Sequence, residues 1–195
     1  MKILVTVTLL LALVSCNERK TSSNQNVKIS TMKGKNFTTT ITVDKDVTST
    51  FNSIKNFKGW WSEDIEGSTD QLNDTFFYHY KDVHLCKLKL IQLVADKKLV
   101  YQVIANEFNF TKDKTEWVNT KLVFDLTTEG SKTKVVFTHE GLVPEYECYT
   151  VCNDAWTSYI QGSLKNFIET GKGKPNGKEG GLNTELVAKW GLPDK

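Results

Sequence analysis

Residues 145–171 read EYECYTVCNDAWTSYIQGSLKNFIETG, and this stretch decides the predicted fold. From residue 147 to residue 170 the apolar side chains recur every three or four positions, which is the spacing of one face of an amphipathic α-helix. Pro144 precedes the pattern and Gly171 follows it, as is typical of the two ends of a helix. The stretch therefore predicts one long C-terminal helix with a single apolar face.

The chain before this helix has the composition and alternation of strands. Five stretches show this pattern: FTTTITV (37–43), TFFYHY (75–80), DVHLCKLKLIQLV (82–94), KKLVYQVIAN (97–106) and EWVNTKLVFDLTTEGSKTKVVFTHEGL (116–142). The last stretch contains two strands that turn at Gly130. A short helix is predicted after the first strand, ending at Gly59, and residues 106–115 are predicted to overhang one end of the sheet. The pattern predicts an α+β fold, in which a curved antiparallel sheet of about six strands wraps the long helix and leaves a cavity between them.

The first sixteen residues indicate export. Lys2 gives a positive start, and residues 3–13 form an apolar run that is too short to span a bilayer as a mature helix. Ser15 before Cys16 resembles the lipobox of bacterial lipoproteins, which are cut before the cysteine and lipidated on it. The alternative is an ordinary signal peptide with a chance cysteine. We expect a signal peptide over residues 1–15, lipid on Cys16, and a location in the cell envelope, anchored to a membrane and facing the periplasm or the exterior.

Composition divides the rest of the chain into three parts. Residues 16–36 are polar and predict a flexible tether, residues 37–173 form the domain, and residues 174–195 are a glycine-rich tail. Within the tail, LNTELVAKW (182–190) either docks as a short helix or stays disordered. The chain has 25 basic and 23 acidic residues, a net charge of +2, and no basic stripe. A nucleic-acid partner is therefore not expected.

Short motifs in the domain carry a resemblance to a known family. They are Phe51, the pair Trp60 and Trp61, the pair Glu116 and Trp117, FTHEGL (137–142) and AWTSYIQGSLKNFIETGKG (155–173). On these residues the chain resembles the START-like, or SRPBCC, superfamily, specifically the subgroup related to the C-terminal domain of the activator of the heat-shock protein 90 ATPase. The resemblance implies a helix-grip fold around a hydrophobic cavity. It does not imply one chemistry, because the superfamily includes lipid carriers, aromatic-ring cyclases and chaperone co-factors.

Alternation along the strands predicts which side chains face the cavity. Successive residues of a strand point to opposite faces, so the lysines in the third, fifth and sixth predicted strands place their neighbours inward. The predicted cavity residues are His84, Cys86, Glu116, Phe124, Phe137 and His139, with Trp156 from the helix. His79 alternates with inward aromatic residues and is predicted to face water.

Three cysteines of the domain have more than one interpretation. Cys148 and Cys152 lie four residues apart on one helical face, and Cys86 with His84 or His139 could complete a tetrahedral zinc or copper site. Export favours a disulfide instead, either from Cys86 to one of the helix cysteines or, with strain, between the two helix cysteines. The third interpretation is that all three are small buried apolar residues and that no metal or other cofactor is bound.

Three functions remain open on the sequence alone. The first is a lipid-anchored envelope protein that binds a small apolar or amphipathic ligand between the sheet and the long helix. The second is a chaperone co-factor of the heat-shock protein 90 ATPase activator type, which export argues against. The third is a cyclase- or hydrolase-like enzyme that uses Glu116 and a histidine, although the chain has no G-x-S-x-G, phosphate-loop or H-E-x-x-H motif.

Overall fold

A computed structural model describes residues 34–178 of the chain. Its elements in chain order are β1 (Phe37–Val43), α1 (Val47–Lys55), α2 (Phe57–Trp60), β2 (Ile65–Gly67), β3 (Thr75–Tyr80), β4 (His84–Val94), β5 (Lys98–Phe108), β6 (Lys121–Glu129), β7 (Lys132–Glu140), α3 (Tyr149–Thr157), a π-helical segment (Ser158–Leu164) and α4 (Lys165–Thr170). The predicted signal peptide, the lipidated Cys16, most of the tether and the predicted tail helix lie outside the described residues.

All seven strands form one antiparallel sheet in the order β1-β7-β6-β5-β4-β3-β2. Consecutive strands are neighbours except β1, which pairs with the last strand along its whole length, from Phe37 opposite His139 to Val43 opposite Thr133. The prediction of a curved antiparallel sheet is confirmed. The strand beyond the predicted six is the short β2.

The C-terminal helix has 22 residues and is continuous, although its middle is wound as a π-helix. It ends at Gly171, whose φ of 77° lies in the left-handed region that glycine adopts without a steric cost. The apolar face predicted from its spacing is buried, with Trp156, Ile160 and Leu164 at most 1% exposed. The α+β helix-grip architecture expected from the sequence is therefore confirmed.

The helix α2 packs against the far end of the long helix through a glycine. A Cβ atom at Gly59 would overlap the ring of Phe167, so this close approach requires glycine. The prediction that the first helix ends at Gly59 is wrong, because α1 ends at Lys55 and Gly59 lies inside α2. This placement lets Trp60 and Trp61 follow directly and enter the core, where both are at most 1% exposed.

His79 is buried, which corrects the prediction that it faces water. Its side chain is 2% exposed, and its Nε2 lies 3.7 Å from a carboxylate oxygen of Asp64, itself 3% exposed. Simple alternation failed here because Tyr78 and His79 are both buried, so β3 is covered on both faces at this point. Within residues 34–178, no helix has the length and apolar character needed to cross a membrane.

Candidate functional site

The candidate site is a cavity of about 160 Å³ between the long helix and one end of the sheet. It is lined by thirteen residues from β3, β4, β5, α3 and the segments that connect them: Trp61, Tyr78, Tyr80, Val83, His84, Phe108, Phe110, Trp117, Val151, Cys152, Ala155, Trp156 and Tyr159. Eight of these are Phe, Tyr or Trp, so the walls are mainly aromatic rings. Two apolar residues of the lining stay open to solvent, Phe110 at 44% and Val151 at 61% exposure. The cavity is therefore a mostly apolar recess with an apolar rim.

Stacked and tilted ring contacts around the recess hold its walls in place. The indole of Trp61 stacks on the ring of Tyr78 with centroids 4.2 Å apart, and it also packs on Trp156 at 5.1 Å. Trp117 stacks on the other side of Trp156 at 6.0 Å. Such aromatic contacts contribute about 0.5–1.5 kcal/mol per pair beyond the burial of area. The recess is thus built from rings that also belong to the core.

One histidine, His84, belongs to this lining. It is the first residue of β4 and is 8% exposed. Its imidazole packs against Phe108 with centroids 4.3 Å apart and stands perpendicular to Trp117 at 4.7 Å. Its Nε2 lies 2.8 Å from Oδ1 of Asn106. Burial lowers the pKa of His84 to about 3, although the hydrogen bond to Asn106 acts in the opposite direction, so the ring is neutral at physiological pH.

A second polar group lies at the junction of Tyr78, Tyr159 and the segment after the long helix. The side-chain amide of Asn176 donates to the hydroxyl of Tyr159 over 2.7 Å and to that of Tyr78 over 3.4 Å. The backbone around Asn176 pairs with the segment after α2, because its N–H donates to Trp61 O and its carbonyl accepts from Glu63 N–H. Asn176 therefore holds the side chains of Tyr78 and Tyr159 in position through these hydrogen bonds.

His139 lies outside the cavity lining and is fully buried. The indole N–H of Trp156 donates to its Nδ1 over 3.0 Å, so the ring proton must be on Nε2, which lies 2.9 Å from Oγ1 of Thr120. The hydroxyl of Thr120 donates in turn to the carbonyl of Trp117 over 2.6 Å. Burial, with a smaller effect of His84, lowers the pKa of His139 to about 3. His139 is thus a structural residue whose two nitrogens are both engaged.

Glu116 caps the N-terminus of the long helix. Its Oε1 accepts from the N–H of Glu147 over 2.5 Å, and its Oε2 accepts from the N–H of Cys148 over 3.0 Å. The first N–H groups of a helix have no partner inside the helix, and the helix dipole favours a negative charge there. Both carboxylate oxygens are therefore occupied by backbone donors rather than free for acid–base chemistry.

The three cysteines of the domain are free thiols, and all are buried. Cys86 is 0% exposed, and burial raises the pKa of its thiol well above the ordinary value. Cys148 accepts a hydrogen bond from the indole N–H of Trp117 over 3.2 Å, and Cys152 lines the cavity. Neither of the disulfides considered from the sequence is formed. Across residues 34–178 no group of three or more His, Cys, Asp or Glu side chains is arranged to hold a metal ion.

The structure brings only part of the predicted set together. His84, Cys152 and Trp156 line the cavity, whereas Glu116 lies at the helix cap. The remaining predicted cavity residues are sealed in the core and have 0% exposure: Cys86, Phe124, Phe137 and His139. Cys148, of the predicted disulfide or metal set, is also 0% exposed. Strand alternation selects the correct face, but it does not separate the residues that line the cavity from those that are sealed in the core.

The lining also contains residues that sequence reasoning did not select. Trp61, Tyr78 and Tyr80 were visible as aromatic residues of predicted elements, but nothing in their pattern separated cavity walls from core. Phe108 and Phe110 come from the segment that was predicted to overhang the sheet. The predicted overhang was the one sequence feature that could have indicated these two residues as part of the lining. Val151 and Ala155 are at helical i, i+4 spacing with each other and next to Cys152 and Trp156.

The fold and the cavity define the class of protein by its architecture, a helix-grip fold. Within that class the chain is similar to Aha1 from Colwellia psychrerythraea, solved as a dimer, at 24% sequence identity and a TM-score of 0.58; the match covers 71% of this chain and 99% of that one. No protein-family model matches the chain, and no curated protein matches its sequence.

Two further solved structures share the fold. A protein from Nitrosospira multiformis has a TM-score of 0.56 at 12% identity, covering 70% of this chain and 98% of that one. DynU16, described as a protein of the dynemicin biosynthetic locus, has a TM-score of 0.53 at 11% identity, covering 78% of this chain and 59% of its own. At these identities the likeness establishes the fold.

Proposed function

We propose that this protein binds a small apolar or amphipathic molecule in the aromatic cavity and carries it in the cell envelope, anchored through lipid on Cys16. The observation that carries the binding proposal is the recess of about 160 Å³ with ring-lined walls and an apolar rim. Ligand pockets are mostly apolar and contain a few placed polar groups, here His84. The anchor is supported by the lipobox-like sequence alone.

The size of the cavity limits the ligand. Pockets for drug-sized ligands are about 300–1,000 Å³, whereas an engineered apolar cavity of about 150 Å³ in another protein holds benzene. A recess of about 160 Å³ therefore suits one ring or a short branched chain, and a longer molecule would have to extend past Phe110 and Val151 into solvent.

Native mass spectrometry tests the binding proposal. The purified chain is mixed with a small-molecule extract of bacterial envelopes, and separately with toluene as a single-ring probe detected by calorimetry. We expect a bound mass from the extract and saturable toluene binding. Recovery of apo protein only, together with no toluene binding, would contradict the proposal. The anchor is tested independently by metabolic labelling with an alkyne-tagged fatty acid, which should label the wild-type chain and not Cys16→Ala.

A chaperone co-factor role is the second candidate, and the similarity to Aha1 favours it. This role predicts that the purified chain binds a heat-shock protein 90 ATPase and stimulates its ATP hydrolysis. It does not require the cavity, so a variant with a filled cavity would keep the stimulation. The binding function predicts the reverse, because filling the cavity abolishes it without any effect on an ATPase.

A further inference from the structure

We propose that the ligand is a neutral single-ring aromatic molecule with one hydrogen-bond donor, a phenol or a comparable N–H heteroaromatic, and that its donor binds Nδ1 of His84. The inference rests on the proposed binding function and narrows it to one chemical class. Two observations carry it. The recess has the size of one ring and is lined by aromatic rings, and the imidazole of His84 in its wall has a proton position that Asn106 fixes.

The first step is the tautomer of His84. The side-chain amide nitrogen of Asn106 donates to the carbonyl of Lys114 over 2.9 Å, which fixes the amide so that Oδ1 faces His84. An amide oxygen accepts hydrogen bonds and does not donate them, so Nε2 of His84 must carry the proton. A neutral imidazole protonated at Nε2 has a lone pair at Nδ1. His84 is therefore an acceptor toward any group that reaches Nδ1.

The second step is that Nδ1 lacks a partner in the part of the chain that the structure describes. The imidazole is packed by Phe108, Trp117 and Tyr78, with centroids 4.3, 4.7 and 5.3 Å from its own, and these three rings line the same cavity. Among the described residues, His84 has no sealed polar atom without a partner, so Nδ1 is accessible, and an apolar ligand that covered it would leave it without a donor, which is unfavourable. A ligand that supplies a donor relieves this condition, and an equally apolar ligand without one does not.

The third step excludes charged ligands. None of the thirteen residues that line the cavity is Lys, Arg, Asp or Glu. An ionised carboxylate or ammonium group in this recess would lose its hydration without gaining a counter-ion, which is strongly unfavourable. Two of the three tyrosine hydroxyls in the lining, those of Tyr78 and Tyr159, accept from the amide of Asn176. The matching ligand is therefore uncharged, flat, about one ring in size, and carries one hydroxyl or N–H group.

Phenol and toluene provide the test, because they have nearly the same size and differ in the donor. Binding of each to the full chain is measured by calorimetry, and the ¹⁵N chemical shift of Nδ1 in His84 is followed by NMR during each titration. We expect phenol to bind at least about tenfold more tightly than toluene, since a site built to bind a hydroxyl discriminates against the analogue that lacks one. The Nδ1 resonance should move with phenol and stay nearly unchanged with toluene.

The variant His84→Gln tests the position of the acceptor, because its amide N–H can keep the bond to Asn106 while its amide oxygen does not occupy the place of Nδ1 in the imidazole ring. We expect this variant to bind toluene as before and to lose the preference for phenol. Equal binding of phenol and toluene by the wild-type chain, or a preference that persists in His84→Gln, overturns the inference and leaves the proposed binding function intact. Failure of both probes to bind overturns both. If His84→Gln does not fold, the Nδ1 shift in the wild-type chain decides the matter alone.

Discussion

The indole N–H of Trp156 donates to Nδ1 of His139 over 3.0 Å, and this bond joins the long helix to the last strand of the sheet. Because the indole can only donate, it fixes the imidazole proton on Nε2, which is satisfied by Thr120. Both ring nitrogens of His139 are therefore used in hydrogen bonds inside the core, and the residue has a structural role. The same is true of Glu116, whose two oxygens hold the start of the helix. Neither Glu116 nor His139 lines the cavity.

The stability of the protein should fall as the pH is lowered from 7 to 5. His84 and His139 have pKa values of about 3 in the folded protein and an ordinary value of 6.5 when unfolded, so the unfolded chain binds more protons throughout this window. Linkage gives a loss of about 2 kcal/mol in the free energy of unfolding for each such histidine over these two pH units. Urea unfolding at pH 7, 6 and 5 measures it. The variant His84→Gln should lose about half as much, and a pH-independent stability would contradict the burial argument.

Replacement of Glu116 should destabilise the fold rather than abolish a turnover. Glu116→Gln removes the charge and leaves one acceptor for two backbone donors, so we expect a loss of about 1–3 kcal/mol in the free energy of unfolding. Thermal and urea unfolding measure it. Glu145→Gln is the matched control, because Glu145 is exposed, and it should change stability by less than about 0.5 kcal/mol. An unchanged melting temperature in Glu116→Gln would show that the cap contributes little.

Substitution of alanine for two helical glycines should change the stability of the protein in different directions. Gly59→Ala places a Cβ into the ring of Phe167 and should destabilise the fold by about 1–3 kcal/mol. Gly162→Ala meets no atom within 4 Å and should be neutral or stabilise the helix by up to about 1 kcal/mol. Equilibrium unfolding of both variants tests the close approach of α2 to the long helix. Equal effects of the two substitutions would contradict it.

Filling the cavity should prevent ligand binding without unfolding the protein. Ala155 lines the recess and is half-buried, so Ala155→Leu adds three carbons to a space of about one ring. We expect toluene affinity to fall at least about tenfold, which corresponds to about 1.4 kcal/mol. Asp154→Leu adds the same side chain at the neighbouring exposed position and should bind toluene as the wild-type chain does. Unchanged binding by Ala155→Leu would place the ligand elsewhere.

The cysteines of the domain should react slowly with a thiol reagent in the folded protein and become reactive when the protein unfolds. Burial raises the pKa of Cys86, and the neighbouring Cys148 together with burial raises that of Cys152, so few thiolates are available at pH 8. We expect a thiol reagent to react slowly with the native chain. After unfolding without reductant it should modify three cysteines of the domain, apart from Cys16. Modification of only one of the three would reveal a disulfide.

Local patterns were enough to predict the elements and the layers. Alternation in β4 placed His84, Cys86, Leu88 and Leu90 on one face, and all four are buried. The same rule failed for His79, because a neighbouring segment that contributes Asp64 covers the other face of β3. Alternation reports only which of two faces a residue occupies, and it contains no information on what covers either face or how deeply.

The sequence by itself determined the α+β architecture, because the period of the apolar residues sets helix or strand and the long helix must bury its apolar face on the sheet. The tertiary structure alone decided the site. His84 and Cys86 share a face of β4, yet the first lines the cavity and the second is sealed in the core, since the cavity lies at the end of β4 where His84 begins the strand. The space between packed layers depends on side chains that are far apart in the chain, so no local sequence pattern can predict where a cavity forms.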